Sequence, residues 1–359
     1  MSKQPNYILF ITDQQRFDYL GCYGHPVLKT PNIDAIASEG VTYDRFYVSS
    51  PVCMPNRASL MSCRMPSSHG VRSLGIPLAH ENVTFVEMLL AAGYETALIG
   101  KSHIQNVTDW PTQVEPHEYR AGYAVPPDDL KQAIRKDLDN SSYHYEQQHF
   151  WDQVNPVVKT PFYGFNHYDS VLRHGANSGG NFEFWLKKTA PEMLTLRGRD
   201  NQFPHKYTCP QAIRTKLPEE YYSTSYIANQ ASSWIRERKN NPKPFFLMVS
   251  FPDPHHPFTP PGKYWDMYNP AEMPVALAYE INDWDPPEYI KIAERERNRD
   301  KSLGQASGYS VAVSKQESLE ARALTCGMIS MIDDAVGKVR QAVVDADVMQ
   351  NTVQIYTSD

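Results

Sequence analysis

Short, wholly apolar runs alternate along the chain with amphipathic stretches, the pattern of buried parallel strands joined by helices. Asn6–Thr12 is the first such run, rich in β-branched and aromatic residues, and it stops at Asp13-Gln14. Thr30-Pro31 then opens a helix predicted to run through Ser38 and to end at Gly40, with Thr30 as N-cap and Pro31 in the first turn. Thr84 and Glu87 have capping-box spacing ahead of Met88-Leu89-Leu90, and Gly93 supplies a left-handed stop before a strand over 94–99. That strand delivers Gly100-Lys101. Phe245–Ser250 reads as a further buried strand and hands over to Asp253-Pro254-His255-His256-Pro257. Between 317 and 346, Leu324, Met328, Met331, Ile332, Ala335, Val336 and Val339 recur at helical spacing, and a last strand over 353–356 leads to Ser358-Asp359.

This alternation predicts an α/β fold with a mostly parallel, doubly wound sheet flanked by helices. The carboxyl ends of the strands in such a sheet converge on one edge, where ligands bind. Asp13, Lys101, His255 and Asp359 are all expected there. From about 104 to 218 the periodicity fades while Tyr, His, Asn, Pro and Gly accumulate. That stretch is expected to be an irregular insertion over the active edge of one catalytic domain spanning 1–359.

Composition narrows the choice of chemistry. A formal charge of -6, without blocks of Lys or Arg, argues against an electrostatic nucleic-acid binder. The five cysteines (Cys22, Cys53, Cys63, Cys209, Cys326) are irregularly spaced and suggest neither a disulfide framework nor a zinc ribbon. They fit a reducing compartment. The apolar segment after Pro5 is too short for a signal sequence or membrane span, so the chain is read as cytoplasmic, with no membrane partner.

Asp13 and Asp359 would bring two hard oxygen ligands together, with the Gln14 amide oxygen as a third, a set suited to calcium, magnesium or manganese. In Cys53-Met54-Pro55-Asn56-Arg57, Pro55 fits the first turn of a helix beginning just after Cys53. Backbone donors at that end would point toward an anion held at residue 53, and Arg57, one turn on, would reach back to it. Lys101 and His103 are two apart, so an extended segment would turn both to the same side. Adjacent histidines in an extended segment face opposite ways, and His255, rather than His256, is expected to enter the pocket.

Five segments carry a resemblance. They are Ile11-Thr12-Asp13-Gln14, Cys53 to Arg57 with Ala58-Ser59-Leu60-Met61 after it, Gly100-Lys101-Ser102-His103, Pro254-His255-His256-Pro257-Phe258, and Tyr356-Thr357-Ser358-Asp359. Together they resemble the motifs of type I sulfatases, in the alkaline-phosphatase-like superfamily that also contains phosphonate monoester hydrolases. The resemblance implies hydrolysis of small sulfate esters, as by an arylsulfatase. It implies that a maturation enzyme oxidises Cys53 to formylglycine, whose hydrate is the nucleophile. It implies one divalent metal held by Asp13, Gln14, residue 53 and Asp359, with calcium first and manganese, magnesium or zinc as alternatives. Arg57 would steady the hydrate, Lys101 would neutralise sulfate charge, His103 would contact the hydroxyl or the sulfate, and His255 would serve the leaving group as general acid.

The chain departs from the family pattern in three places. Gln14 stands where most sulfatases have a second aspartate, a substitution closer to phosphonate monoester hydrolases and choline sulfatases. A phosphonate monoester or phosphodiester hydrolase is therefore the alternative reading. Leu74 or Gly75 stands where related sequences often place an asparagine, so no catalytic residue is assigned there. The family pattern continues past Asp359 with a His or Asn, then a Lys, then a smaller sheet subdomain, so this chain is expected to be a truncated portion. A non-catalytic metal- or partner-binding relic with an unmodified Cys53 is a third reading, and homo-oligomerisation is left open.

Overall fold

The computed structural model describes residues 4–108, 121–122, 142–280, 285–299 and 312–359. Six strands form one sheet: β1 (Asn6–Thr12), β2 (Glu95–Gly100), β3 (His167–Leu172), β4 (Gly179–Gly180), β5 (Phe245–Ser250) and β6 (Thr352–Ser358). Their order is β4-β3-β2-β5-β1-β6, and every neighbouring pair is parallel except β3 with β4. The described helices are α1 (Pro31–Ser38), α2 (Cys53–Ser62), α3 (Pro66–His69), α4 (Phe85–Ala91), α5 (Gln148–Trp151), α6 (Asn181–Thr189), α7 (Ser223–Arg236), α8 (Glu288–Arg299) and α9 (Lys315–Asp345).

Both faces of the sheet are covered, as the unbroken apolar strands require. Ile8, Phe10, Leu247 and Val249 point to one side and pack with Trp234 of α7 and Val336 of α9. The intervening residues Leu9, Ile11, Leu98 and Met248 point to the other side and pack with Met54 of α2 and Val86 of α4. The period of two along each strand thus divides one sheet between two cores. β6 forms the edge next to β1, and its Val353 and Ile355 are each 44% exposed. Among the described residues, no helix is long and apolar enough to cross a membrane.

The capping box at Thr84 and Glu87 is present, and Gly93 is left-handed at φ 90°. Thr30 stands at the N-cap of α1, but its side chain makes no cap. Its hydroxyl accepts from Gly21 N and donates to Asp34. Buried Asp333 of α9 caps α1 instead, accepting from Ile33 N at 2.8 Å and Asn32 N at 3.2 Å. A carboxylate from a distant helix has taken over a task that local sequence assigns to a threonine.

The larger difference concerns 104–218. β3 lies inside this stretch and is a full parallel member of the sheet, with β4 and α6 following it. An irregular insertion does not describe 142–218, because Tyr168, Val171 and Leu172 of β3 are core residues. Residues 109–120 and 123–141 of that expectation lie outside the described residues.

Candidate active site

Parallel pairing in register brings the ends of β1, β2, β5 and β6 to one edge, as Ile11 pairs with Ser250 and Thr12 with Ser358. At the end of β2, Gly100 has φ 116°, and a Cβ there would fall 1.8 Å from Ser250 O. Only glycine permits that approach, and it lets Lys101 N donate to Ser250 O at 2.9 Å. The side chain that follows is thereby set into the site.

Cys53 is the first residue of α2, one position earlier than the sequence suggests. Met54 to Ser59 of that helix are buried, and Arg57 is fully enclosed. Arg57 Nε donates to Asp359 Oδ2 at 2.5 Å, while Nη1 donates to Lys101 O at 2.6 Å and to Ser250 Oγ at 2.9 Å. Its Nη2 is buried with no partner among the described residues. One guanidinium therefore ties together α2 and the ends of β2, β5 and β6, and keeps a donor in reserve.

Asp13, just past β1, is 1% exposed and pairs with the Lys101 ammonium. Lys101 also donates to His174 Nε2 at 2.7 Å, and that nitrogen lies 3.1 Å from Asp13 Oδ2. His174 follows β3 and stacks on His255, with ring centroids 3.7 Å apart and planes within 9°. Asp13, His174 and His255 bring possible metal-ligating atoms within 4.8 Å of one another. The Lys101 ammonium already serves two of these three groups, as a cation would.

Local geometry corrects two sequence expectations. His103 is not extended: at φ 52° it is left-handed, so the rule that residues two apart share a side does not apply to Lys101 and His103. It is nevertheless buried near Lys101, Asp13 and Arg57, and among the described residues neither ring nitrogen has a partner. His255 and His256 do not diverge either. They occupy a bend, and their rings stack at 4.1 Å. His255 Nδ1 donates to His256 O at 2.5 Å, and His256 Nδ1 donates to Gln14 Oε1 at 3.2 Å.

Gln14 is left-handed too, at φ 62°, and its side chain is exposed. Its backbone N–H, rather than its amide oxygen, meets Asp359, donating to Oδ1 at 3.2 Å. Asp359 and Asp13 are near enough for each to feel the other's charge. Burial raises the Asp359 carboxyl, and Arg57 opposes that rise only in part. At Asp13 burial also works upward, but Lys101 and His174 outweigh it and hold the carboxyl well below its ordinary value.

These groups decide which states the free site holds. Burial, reinforced by Lys101, pushes His103 well down, and it pushes His174 down to about 4 and His255 to about 3. All three imidazoles are neutral at pH 7. Burial also pushes the Cys53 thiol up despite Lys101, so an unmodified cysteine here is a poor thiolate nucleophile. Two buried carboxylates with a nearby amide form an oxygen-rich set that fits a hard divalent cation. Unpartnered Arg57 Nη2 and the His103 nitrogens fit an oxyanion.

A mostly parallel α/β sheet thus surrounds a half-buried cysteine at its strand ends with paired carboxylates, a lysine, an arginine and histidines. A family profile described as Sulfatase matches residues 5–359, and the chain belongs to that family. The chain is 26% identical to an arylsulfatase of Clostridium perfringens over 358 residues, covering 99% of this chain and 63% of that protein. It is 25% identical to the multifunctional alkaline phosphatase superfamily protein PehA of Trinickia caryophylli, again covering 99% and 63%. The fold superposes on a phosphonate monoester hydrolase of Agrobacterium radiobacter with a TM-score of 0.68 at 23% identity, covering 99% of this chain and 62% of that one. The chain therefore spans about three fifths of the length of these relatives.

His174 is a site residue to which the sequence reading assigned no catalytic or metal-binding role. A weaker signal for it exists: Val171-Leu172 gives way to polar Arg173-His174, although Asp169 and Ser170 interrupt the apolar run before it.

Proposed function

We propose that this chain hydrolyses sulfate esters through an oxidised residue 53, in the manner of the arylsulfatases it resembles. The observation that carries this reading is the burial around Cys53 of Asp13, Arg57, Lys101 and His103, with Arg57 Nη2 and both His103 nitrogens unpartnered. As formylglycine hydrate, residue 53 would supply one hydroxyl to attack sulfur and a second whose collapse to the aldehyde releases sulfate. Asp13, Asp359 and Gln14 would hold the metal together with residue 53, after rotation of the Gln14 amide away from His256. A bound divalent cation there would polarise sulfate oxygens and favour the ionised hydroxyl.

The chain's own side chains do the remaining work. Arg57 is fixed on three sides and offers Nη2 to the oxygens at residue 53. Lys101 swings between Asp13 and the anion, and His103 donates to the anion or to the residue-53 hydroxyl. His255, with Nδ1–H held by the His256 carbonyl, presents a bare Nε2 and would act as general acid only after taking up a proton there as the anion binds. A maturation enzyme and calcium, or another divalent ion, belong to this reading, as does a cytoplasmic location.

Gln14 favours a second reading, hydrolysis of phosphonate monoesters or phosphodiesters. One carboxylate fewer leaves the site more positive, which suits a more highly charged transition state. The phosphonate monoester hydrolase likeness supports the same alternative. The test is peptide mass spectrometry at residue 53 in protein from a maturation-competent host, alongside turnover of aryl sulfate, aryl phosphonate and aryl phosphodiester. Oxidised residue 53 with aryl sulfate as best substrate is expected. Dominant phosphorus turnover transfers the assignment to the second reading, and a thiol without turnover supports the relic.

A further inference from the structure

Behind the anion pocket, a single buried carboxylate grips the loop that carries His103. Glu146 is 1% exposed and lies just before α5. Its Oε1 accepts from the Ser102 hydroxyl and from Ile104 N at 3.4 Å, while Oε2 accepts from Gln105 N at 2.8 Å. The donors lie on both sides of His103. Gln105 Oε1 in turn accepts from Tyr145 N at 3.1 Å, so the two segments are tied in both directions. Tyr168 of β3 also meets Ser102, hydroxyl to hydroxyl, at 2.9 Å.

His103 needs such a grip. A left-handed backbone disfavours a residue with a Cβ, and strain of this kind persists where surrounding structure over-determines it. Its own imidazole gives no anchorage, because both nitrogens lack partners. Among the described residues no Lys or Arg forms an ion pair with Glu146, and burial raises its carboxyl to about 7 in spite of these donors. A carboxylate kept in so unfavourable a place, bonded to both flanks of a strained pocket residue, serves the shape of that turn.

We propose that Glu146 is a positioning residue for the anion site: it fastens both flanks of the His103 turn and so holds the unpartnered imidazole among the pocket's charged groups. What the imidazole then binds rests on the sulfatase reading above, whereas the fastening does not. Among the described residues Glu146 is hydrogen-bonded to neither Asp13, Asp359 nor residue 53, and it acts through the Ser102 hydroxyl and the backbone of 104–105.

The test uses Glu146→Gln, which keeps the side chain's shape but turns an NH2 toward one of the donors, releasing one flank. Binding of inorganic sulfate to the full-length protein, followed by calorimetry, is expected to weaken roughly tenfold, with the melting temperature little changed. The His103 ring nitrogen resonances, assigned through His103→Gln, are expected to shift in anion-free Glu146→Gln. Tyr168→Phe removes a Ser102 contact but none of the bonds to Glu146, and should keep sulfate affinity within about twofold. Should Glu146→Gln fail to fold, Ser102→Ala removes one donor and no charge, and about a fivefold loss is expected. Unchanged affinity and resonances in Glu146→Gln, no loss in Ser102→Ala, or equal losses in Glu146→Gln and Tyr168→Phe would overturn the proposal. Shifted His103 resonances in a protein that turns over no ester would uphold it while removing the sulfatase reading.

Discussion

The pocket contains two buried carboxylate-cation pairs of opposite character. On one side Arg57 is bound to Asp359, a backbone carbonyl and a serine hydroxyl, each from a different strand end. On the other, Lys101 meets Asp13 and an imidazole that is itself held by stacking. A planar guanidinium with fixed forks commits its donors, whereas an ammonium on four methylenes exchanges partners readily. The first pair is scaffold with one donor left for chemistry; the second can move toward an arriving anion. Two cations against two carboxylates leave the free pocket close to balanced, so a bound divalent cation would tip it toward anion binding.

Removing the cation from each pair should expose the difference most strongly. Arg57→Ala leaves Asp359 buried without its partner and removes bonds to two further strand ends, and should cost about 3–5 kcal/mol in urea unfolding. Lys101→Ala should cost distinctly less, because His174 stays 3.1 Å from Asp13 and can take up a proton to replace the lost cation. Turnover should collapse in both. Equal destabilisation of the two variants would refute the division into scaffold and mobile partner.

The mobile side should also carry a pH signature. His174 and His255 fall to about 4 and about 3 from a usual 6.5, so folding favours their neutral forms. Their contribution is fully present above pH 6.5 and is lost as pH falls through about 4 for His174 and about 3 for His255. The loss attributable to His174 should be on the order of 2 kcal/mol. Melting temperatures between pH 7 and pH 4 should therefore fall less steeply in His174→Gln than in the wild type. Parallel curves would show that burial of this ring does not govern acid stability. Asp13 acts lower still, since Lys101 holds its carboxyl well below the ordinary range.

The two sides also differ in how legible they were. Arg57 could be read because its helix start, proline and spacing from Cys53 are local, and local spacing fixes which groups meet within one turn. The sheet was legible through the apolar runs at β1, β2, β5 and β6, each followed by a polar residue. His174 was obscured because its strand lay within a stretch read as irregular and carries Asp169 and Ser170 where β5 is apolar. The orientations of Gln14 and His103 were not legible, since both take a left-handed backbone without being glycine. Tertiary bonds impose those conformations, as those from Glu146 do around His103, and no rule of strand period anticipates them. Asp333 capping α1 from about 300 residues away illustrates the same limit.

The smallest expected effect concerns the contact that steadies the mobile side. His174 and His255 stack at 3.7 Å, and His255 stacks in turn on His256 at 4.1 Å, whose Nδ1 is bonded to Gln14. A column of neutral rings thus runs from the Lys101 ammonium to Gln14. A double-mutant cycle with His174→Ala and His255→Ala should give a coupling of about 0.5–1.5 kcal/mol in unfolding free energy at pH 7. Near pH 3 it should shrink, because both rings are then substantially protonated and like charges lie face to face. The corresponding cycle between His174 and Arg57 should be near zero, as no contact joins them. If instead His174 couples to Arg57 as strongly as to His255, the pocket responds as one unit and the distinction between its two sides falls.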